Sequence, residues 1–284
     1  MSITIIVKAL ELGLIFSILS LGVFVSFRVL DIPDLTVDGS FTTGAAICAM
    51  FTIANHPFLG LLLAFVGGGI CGIITAFLQT KLKVHPLLAG ILTMTALYSI
   101  NLRIMGLSPN VSLFQCQTLF SIPIKPILLL LIVSILVGCI LFGFFKLNIG
   151  LMLRATGDNK VMVKSSSINV DGMIFLGMSL ANGLVGLSGG LLAQYQNFAD
   201  VTGGTGMMVL GLAGIIIGEA ILRKKTIGFG ISASIIGACL YRLLYTAALQ
   251  FGIRATDMNL MSAILVAITI SIPYLQKVRA SKNA

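Results

Sequence analysis

The sequence predicts an all-α polytopic membrane bundle of about nine transmembrane helices (eight to ten), in one transmembrane domain covering residues 1–284. Three observations lead there. Of the 284 residues, 57% are apolar. Only 10% are charged, against about 25% in an ordinary soluble domain, and the mean hydropathy is +1.09. The apolar residues also gather in stretches of about 18 or more, enough to cross a hydrocarbon layer of about 30 Å as a helix. A soluble fold of this length needs many more charges to cover its surface. That excludes a soluble enzyme, a disordered chain and a nucleic-acid-binding domain.

The expected spans are taken in chain order. Span one is Ile5–Arg28; Lys8 falls inside its apolar run rather than before it, so the start does not read as a signal peptide. The polar run DIPDLTVDGS breaks the chain at Pro33. Span two, Ser40–Ala54, is short for a full crossing. Span three is Phe58–Thr80 and span four Pro86–Met105. The loop from Gly106 to Lys125 is too short for a folded receptor domain. Spans five to nine follow at Pro126–Phe145, Met173–Tyr195, Met207–Leu222, Ile227–Thr246 and Met258–Gln276.

Charge sets the orientation. The net charge of +9 comes from 18 basic and 9 acidic side chains. Alternate loops carry Arg28, then Lys81 and Lys83, then Lys146, Arg154, Lys160 and Lys164, then Arg223–Lys225, and finally Lys277, Arg279 and Lys282. These are 13 of the 18 basic residues. Basic loops stay in the cytoplasm, so the N-terminus is expected outside and the C-terminus inside. The five cysteines (48, 71, 116, 139 and 239) have no ligand spacing, and the four inside apolar runs read as small buried hydrophobes. No metal site or catalytic constellation is expected.

Two further patterns concern packing. Gly68/Gly72, Gly186/Gly190 and Gly214/Gly218 are small-xxx-small pairs, which let helix backbones approach closely in lipid. Gly60 and Gly69-Ile70-Cys71 recur as Gly228 and Gly237-Ala238-Cys239 at an offset of 168. By the loop count the two copies cross in opposite directions, the pattern of the inverted repeats that build many transporters.

The most polar segment is Asn148–Gly172, NIGLMLRATGDNKVMVKSSSINVDG. It keeps Leu151, Leu153, Val161 and Val163 among Arg154, Asp158, Asn159, Lys160 and Lys164. Composition alone fits a short amphipathic helix docking on a cytoplasmic partner or one resting on anionic lipid. The segment resembles the coupling segment of ABC importer permeases of the branched-chain amino acid and ribose class. The match falls on Gly150, Leu153, Arg154, Ala155, Asp158, Asn159, Ile168 and Asn169. It departs at Ser167, where that family usually has glycine, so a differently shaped bend is expected there. The blocks ELGLIFSILSLGVFVSFRVLDIPDLTVDGSFTTGAA and ILTMTALYSINLRIMG resemble a branch associated with lipoprotein receptors for tryptophan or tyrosine.

The resemblance implies a permease without a cofactor of its own. It would work with a second permease copy, two ATP-binding subunits that hold ATP and Mg, an external solute-binding lipoprotein and the surrounding lipid. The coupling residues it implies are Leu151, Leu153, Arg154, Ala155, Thr156, Gly157, Asp158, Asn159, Ile168 and Asn169, with Leu153 and Arg154 set against a partner groove. The chain has no GxxxxGK[ST] phosphate loop.

Polar groups at membrane depth usually line a path or pair with each other. Asp34, Asp38, Tyr98, Asn101 and Asn182 are the substrate-path candidates. Asp38 also reads as the N-cap of span two, accepting from Ser40 or Phe41. Glu219 with Arg223, and Lys8 with Glu11, are spaced for ion pairs within a helix. An ion-coupled secondary transporter using Asp34, Asp38 or Glu219 is the alternative function; the coupling-segment match favours the importer.

Overall fold

The structure is a computed structural model that describes residues 3–222 and 226–250. It is an α-helical bundle. The first helix, α1 (Ile3–Val23), runs on into a wider π-helical turn, Phe24–Val29. Then come α2 (Thr36–Ile53), α3 (Pro57–Thr80), α4 (Pro86–Ile104), α5 (Pro126–Lys146), α6 (Asn148–Asp158), α7 (Lys160–Ser165), α8 (Val170–Gln196), α9 (Met207–Ile221) and α10 (Ile227–Gln250). Three helices begin where the sequence puts a proline: Pro57, Pro86 and Pro126 each take the first helical position. There the missing N–H costs no hydrogen bond.

Six helical segments among the described residues are long and apolar enough to span: Ile3–Val29, α3, α4, α5, α8 and α10. That is two fewer than the eight spans expected within these residues. The fifteen residues of α9 rise about 22 Å, short of a full crossing. Helix α2 carries Asp38, Ser40 and four threonines, so it is too polar to face lipid. It sits inside the bundle against α3, α4 and α8. The expected ninth span, Met258–Gln276, lies outside the described residues.

The core is built on α1 and α8. Ile15, Ile18, Leu19 and Leu21 of α1 are fully buried, as are Met178, Ala181, Asn182 and Val185 of α8. Helix α3 packs on α2 and α8, while α10 packs on α9 and α1. The glycine pairs sit at these seams. A Cβ at Gly44 would fall 2.0 Å from the Gly186 carbonyl oxygen, and one at Gly237 would fall 1.9 Å from that of Gly214. Backbones therefore touch without intervening side chains, which holds helices together where lipid offers no hydrophobic drive. By contrast α5 is mostly exposed, with Ile132, Leu136 and Ile140 facing outward. Such a continuous apolar face belongs in hydrocarbon.

At the end of the bundle opposite α6 and α7, two short strands pair antiparallel: β1 (Asn110–Ser112) with β2 (Phe198–Asp200), Val111 facing Ala199. Helical periodicity gave no sign of this clasp between the loop after α4 and the exit of α8. At the α6–α7 end, two ion pairs join helix ends. Arg28 pairs with Glu219, and Lys81 Nζ lies 3.0 Å from Asp171. Arg223, the expected partner of Glu219, lies outside the described residues. The expected Lys8–Glu11 pair is replaced: Glu11 is buried and accepts a hydrogen bond from Tyr195 Oη at 2.6 Å, while Lys8 is exposed.

Candidate functional site

Two sets of residues meet the chemistry that the sequence singled out: a polar track through the core, and the docked segment α6–α7.

The track starts at the break after α1. Asp31 adopts a left-handed backbone (φ 53°), and the chain turns through Pro33 to bury Asp34 at 1% exposure. One Asp34 oxygen accepts from the Thr36 N–H at 2.9 Å and the other from Asn182 Nδ2 at 2.6 Å. The Asn182 carbonyl accepts from Ser40 Oγ at 2.7 Å, and Thr36 and Thr75 share a hydroxyl contact at 2.7 Å. One turn along α2, Thr43 donates to Asn101 Oδ1 at 2.8 Å, and Asn101 Nδ2 donates to the Gly39 carbonyl at 3.3 Å. Asp34, Asn182 and Asn101 are thus buried and paired, and they fasten α2 to α8 and α4. Tyr98 does not join them. It lies on the outward face of α4, half exposed.

Asp38 does not cap its own helix. Its carboxylate accepts from the Gly206 N–H at 2.9 Å and the Met208 N–H at 2.8 Å, so it caps α9 instead. The reason is geometric. Helix α2 begins at Thr36, four residues before the expected start, which places Asp38 inside the first turn with its side chain pointing outward. The chain reaches α9 through Gly203-Gly204-Thr205-Gly206. A Cβ at Gly204 would fall 2.0 Å from the Asp38 carbonyl oxygen, and Gly206 holds φ 82°. The N-termini of two short helices therefore meet inside the bundle, one carboxylate satisfying the amides of the other. The glycine-rich run DVTGGTG between apolar stretches was the available signal for this junction.

The segment between α5 and α8 folds as two short helices. Asn159 separates them, its side chain accepting from the N–H groups of Val161 and Met162 at 3.0 and 3.1 Å. Asn169 caps α8 by accepting from the Gly172 N–H at 3.0 Å. Ser167 takes the left-handed conformation (φ 60°), so the bend expected to differ keeps the backbone shape that glycine adopts most readily.

Leu153 is fully buried within this chain, against Leu30 and Gly177. It does not present a side chain to a partner, contrary to expectation. The reason is that the π-helical turn leaves Val29 and Leu30 directly beneath α6. Thr156 is buried beside it, Ala155 is half-buried, and a Cβ at Gly157 would fall 1.8 Å from the Val29 carbonyl oxygen. Arg154 turns toward a cleft between α5 and α10. The outward face is apolar at Leu151 (49% exposed), Val161 (80%) and Met162 (68%), flanked by exposed Asp158, Lys160 and Lys164, with Ile168 half-buried.

The structure is an apolar helix bundle fastened by buried polar bonds, with a helix pair locked onto one end. The family model described as "Branched-chain amino acid transport system / permease component" matches residues 5–269, and the chain belongs to that family. It is a multi-pass inner-membrane permease component of an ABC-type transport system for amino acids or sugars, and components of this kind leave ATP hydrolysis to a separate subunit.

Among curated relatives, the tyrosine transport system permease protein of Clostridioides difficile is 41% identical over 263 residues, covering 92% of this chain and 88% of that one. An uncharacterized protein of Rickettsia prowazekii is 38% identical over 276 residues, covering 94% and 97%. The ribose import permease protein of Haemophilus influenzae is 26% identical over 242 residues, covering 80% and 71%. No solved structure matches the chain.

Proposed function

We propose that this chain is the membrane subunit of an importer for tyrosine or a chemically similar amino acid. Two copies form the pathway, two ATP-binding subunits dock beneath them, and a solute-binding lipoprotein delivers solute from outside. The observation that carries this reading is the α6–α7 unit. It is locked by backbone contact onto the end of α1 and presents Leu151, Val161 and Met162 outward. An exposed apolar tip ringed by charges suits a groove on another protein better than water. The coupling role of Leu151–Ile168 thus divides: Leu153, Thr156 and Gly157 grip the bundle, Asn159 and Asn169 cap helices, and the exposed residues meet the partner. Tyrosine as solute rests on the 41% identical relative. We read the N-terminus as outside and the C-terminus as inside, because Arg28, Lys81 and Lys146, with both helix-end ion pairs, lie on the α6–α7 side.

The inverted repeat belongs to the same reading, and the helix boundaries support it. The offset of 168 carries α1 with its π-helical turn onto α8, α2 onto α9 and α3 onto α10, each boundary within three residues. The first helices are exchanged between the halves, since α8 packs on α2 and α3 while α1 packs on α9 and α10. The solute path then runs by the junction of Asp38 with Gly206 and Met208, where the two equivalent short helices meet.

The test is uptake of labelled tyrosine into vesicles that hold the permease, its ATP-binding subunits and its solute-binding protein. Saturable, ATP-dependent uptake competed by unlabelled tyrosine and not by ribose is expected. Uptake by the permease alone, driven by an ion gradient, would reject it in favour of secondary transport.

A further inference from the structure

A cleft of about 720 Å³ opens between α5 and α10 on the α6–α7 side. Its walls are apolar, with Ile135, Cys139 and Phe142 of α5 facing Ile231 and Ile235 of α10. From Ile135 to Lys146 the α5 wall runs about 16 Å, and the charges lie only at its α6–α7 end. Lys146 closes α5 with its ammonium 4.4 Å from the centre of the Phe142 ring, and Arg154 of α6 stands beside it. Neither cation has a carboxylate partner among the described residues, and no acid lines the cleft. Thr226 also lines it and follows directly on Arg223-Lys224-Lys225 in the sequence.

We infer that this cleft binds an anionic phospholipid of the adjacent leaflet, with an acyl chain along the α5–α10 wall and the phosphate between Lys146 and Arg154. Charge complementarity selects this occupant over the others. A small soluble anion would have no use for the long apolar wall. The apolar stretch 258–276 carries no charged side chain, so it has no counter-ion to offer the two cations. A second copy on a two-fold axis would set the same cationic patch against itself. An anionic headgroup neutralises both cations, and basic pockets between helices at the membrane surface bind such headgroups. Because Arg154 belongs to α6, the bound lipid also braces the α6–α7 unit. The inference stands apart from the choice of solute.

The experiment uses the full-length permease, delipidated and given phosphatidylglycerol or phosphatidylcholine with the same acyl chains, and counts retained lipids by native mass spectrometry. Each basic side chain contributes roughly fivefold to anionic-lipid preference, so the pair gives about thirtyfold for phosphatidylglycerol. The double variant Lys146→Gln/Arg154→Gln should drop below about threefold with unchanged melting temperature. Equal retention of the two lipids by the natural chain, or undiminished preference in the variant, overturns the proposal. So does displacement of the lipid by free glycerol phosphate at equal concentration, which would mark a soluble-anion site. A second measurement uses a chain with Cys139 as its sole cysteine, since Cys139 is exposed in the cleft wall. Phosphatidylglycerol should slow its maleimide labelling where phosphatidylcholine does not. Protection before any lipid is added, or a disulfide between two Cys139 residues, means that protein fills the cleft and the proposal fails.

Discussion

Replacing Gly157 with alanine should uncouple ATP hydrolysis from uptake while leaving the membrane bundle folded. The added Cβ would lie 1.8 Å from the Val29 carbonyl oxygen, and contacts below 3.0 Å essentially do not occur. Helix α6 must therefore back away from α1 by about 1.2 Å or more. A gap of about 0.5–1 Å already forfeits a quarter to a half of a contact's dispersion energy, and Leu153 would lose that over Leu30. Overpacking of this kind costs about 1–3 kcal/mol, a five- to 150-fold shift toward an undocked segment. The assay is vesicle uptake alongside ATP hydrolysis, with the ratio of solute moved to ATP consumed as readout. That ratio should fall at least about fivefold. Gly143→Ala is the control, because a Cβ there meets nothing within 4 Å, and it should behave as the natural chain does. If Gly157→Ala keeps the natural ratio, the grip of α6 on α1 does not transmit the stroke.

Three other outcomes follow from the same geometry. Single cysteines at Lys83 and Lys160 should resist an impermeant thiol reagent in sealed cells while one in the Gly106–Lys125 loop reacts; labelling at Lys160→Cys would reverse the orientation. Asp38→Ala strips the acceptor from two amides of α9 and should destabilise the solubilised protein by about 2 kcal/mol in thermal or denaturant unfolding, with Asp38→Ser recovering part of it; an unchanged transition would mean that the cap is unimportant. Ser167→Gly relieves a left-handed serine, so stability should rise by about 1 kcal/mol; a loss would show that the Ser167 side chain contributes something beyond the bend.

What was legible in the sequence was whatever depends on neighbours along the chain. Pro57, Pro86 and Pro126 announced helix starts, and the polar run Asn148–Gly172 announced an extramembrane unit. Contacts across the fold were not legible. Glu219 pairs with Arg28, and nothing near it in sequence points to a partner 191 residues away. Asp38 has the local features of a cap for α2, and nothing near it in sequence points to amides 168 residues away. Leu153 belongs to an amphipathic pattern that says one face is buried without saying against what. Its own bundle, supplied by the unforeseen π-helical turn, was the answer.

The packing of α1 fixes where a movement of α6 goes. Helix α6 grips the Val29 end of α1 through Gly157, yet α1 packs on α9 and α10 rather than on α2 and α3, its immediate successors in the chain. Arg28, one residue before that grip, is tied to Glu219 at the far end of α9. Higher up, Gly211 of α9 lies directly against Leu19 and Val23 of α1, and Ser20 donates to the Gly211 carbonyl at 2.8 Å. A push on α6 is thus delivered to α9 at two levels, and α9 begins at the amides that Asp38 holds. Helix α2, which carries Asp38, is fastened to α8 and α4 by Asn182 and Asn101, and α6 reaches it by the other route, through Leu153 on Gly177 of α8. The junction of Asp38 with Gly206 and Met208 lies where these two routes meet. On the proposed importer reading, that junction is where a stroke on α6 would open or close the path.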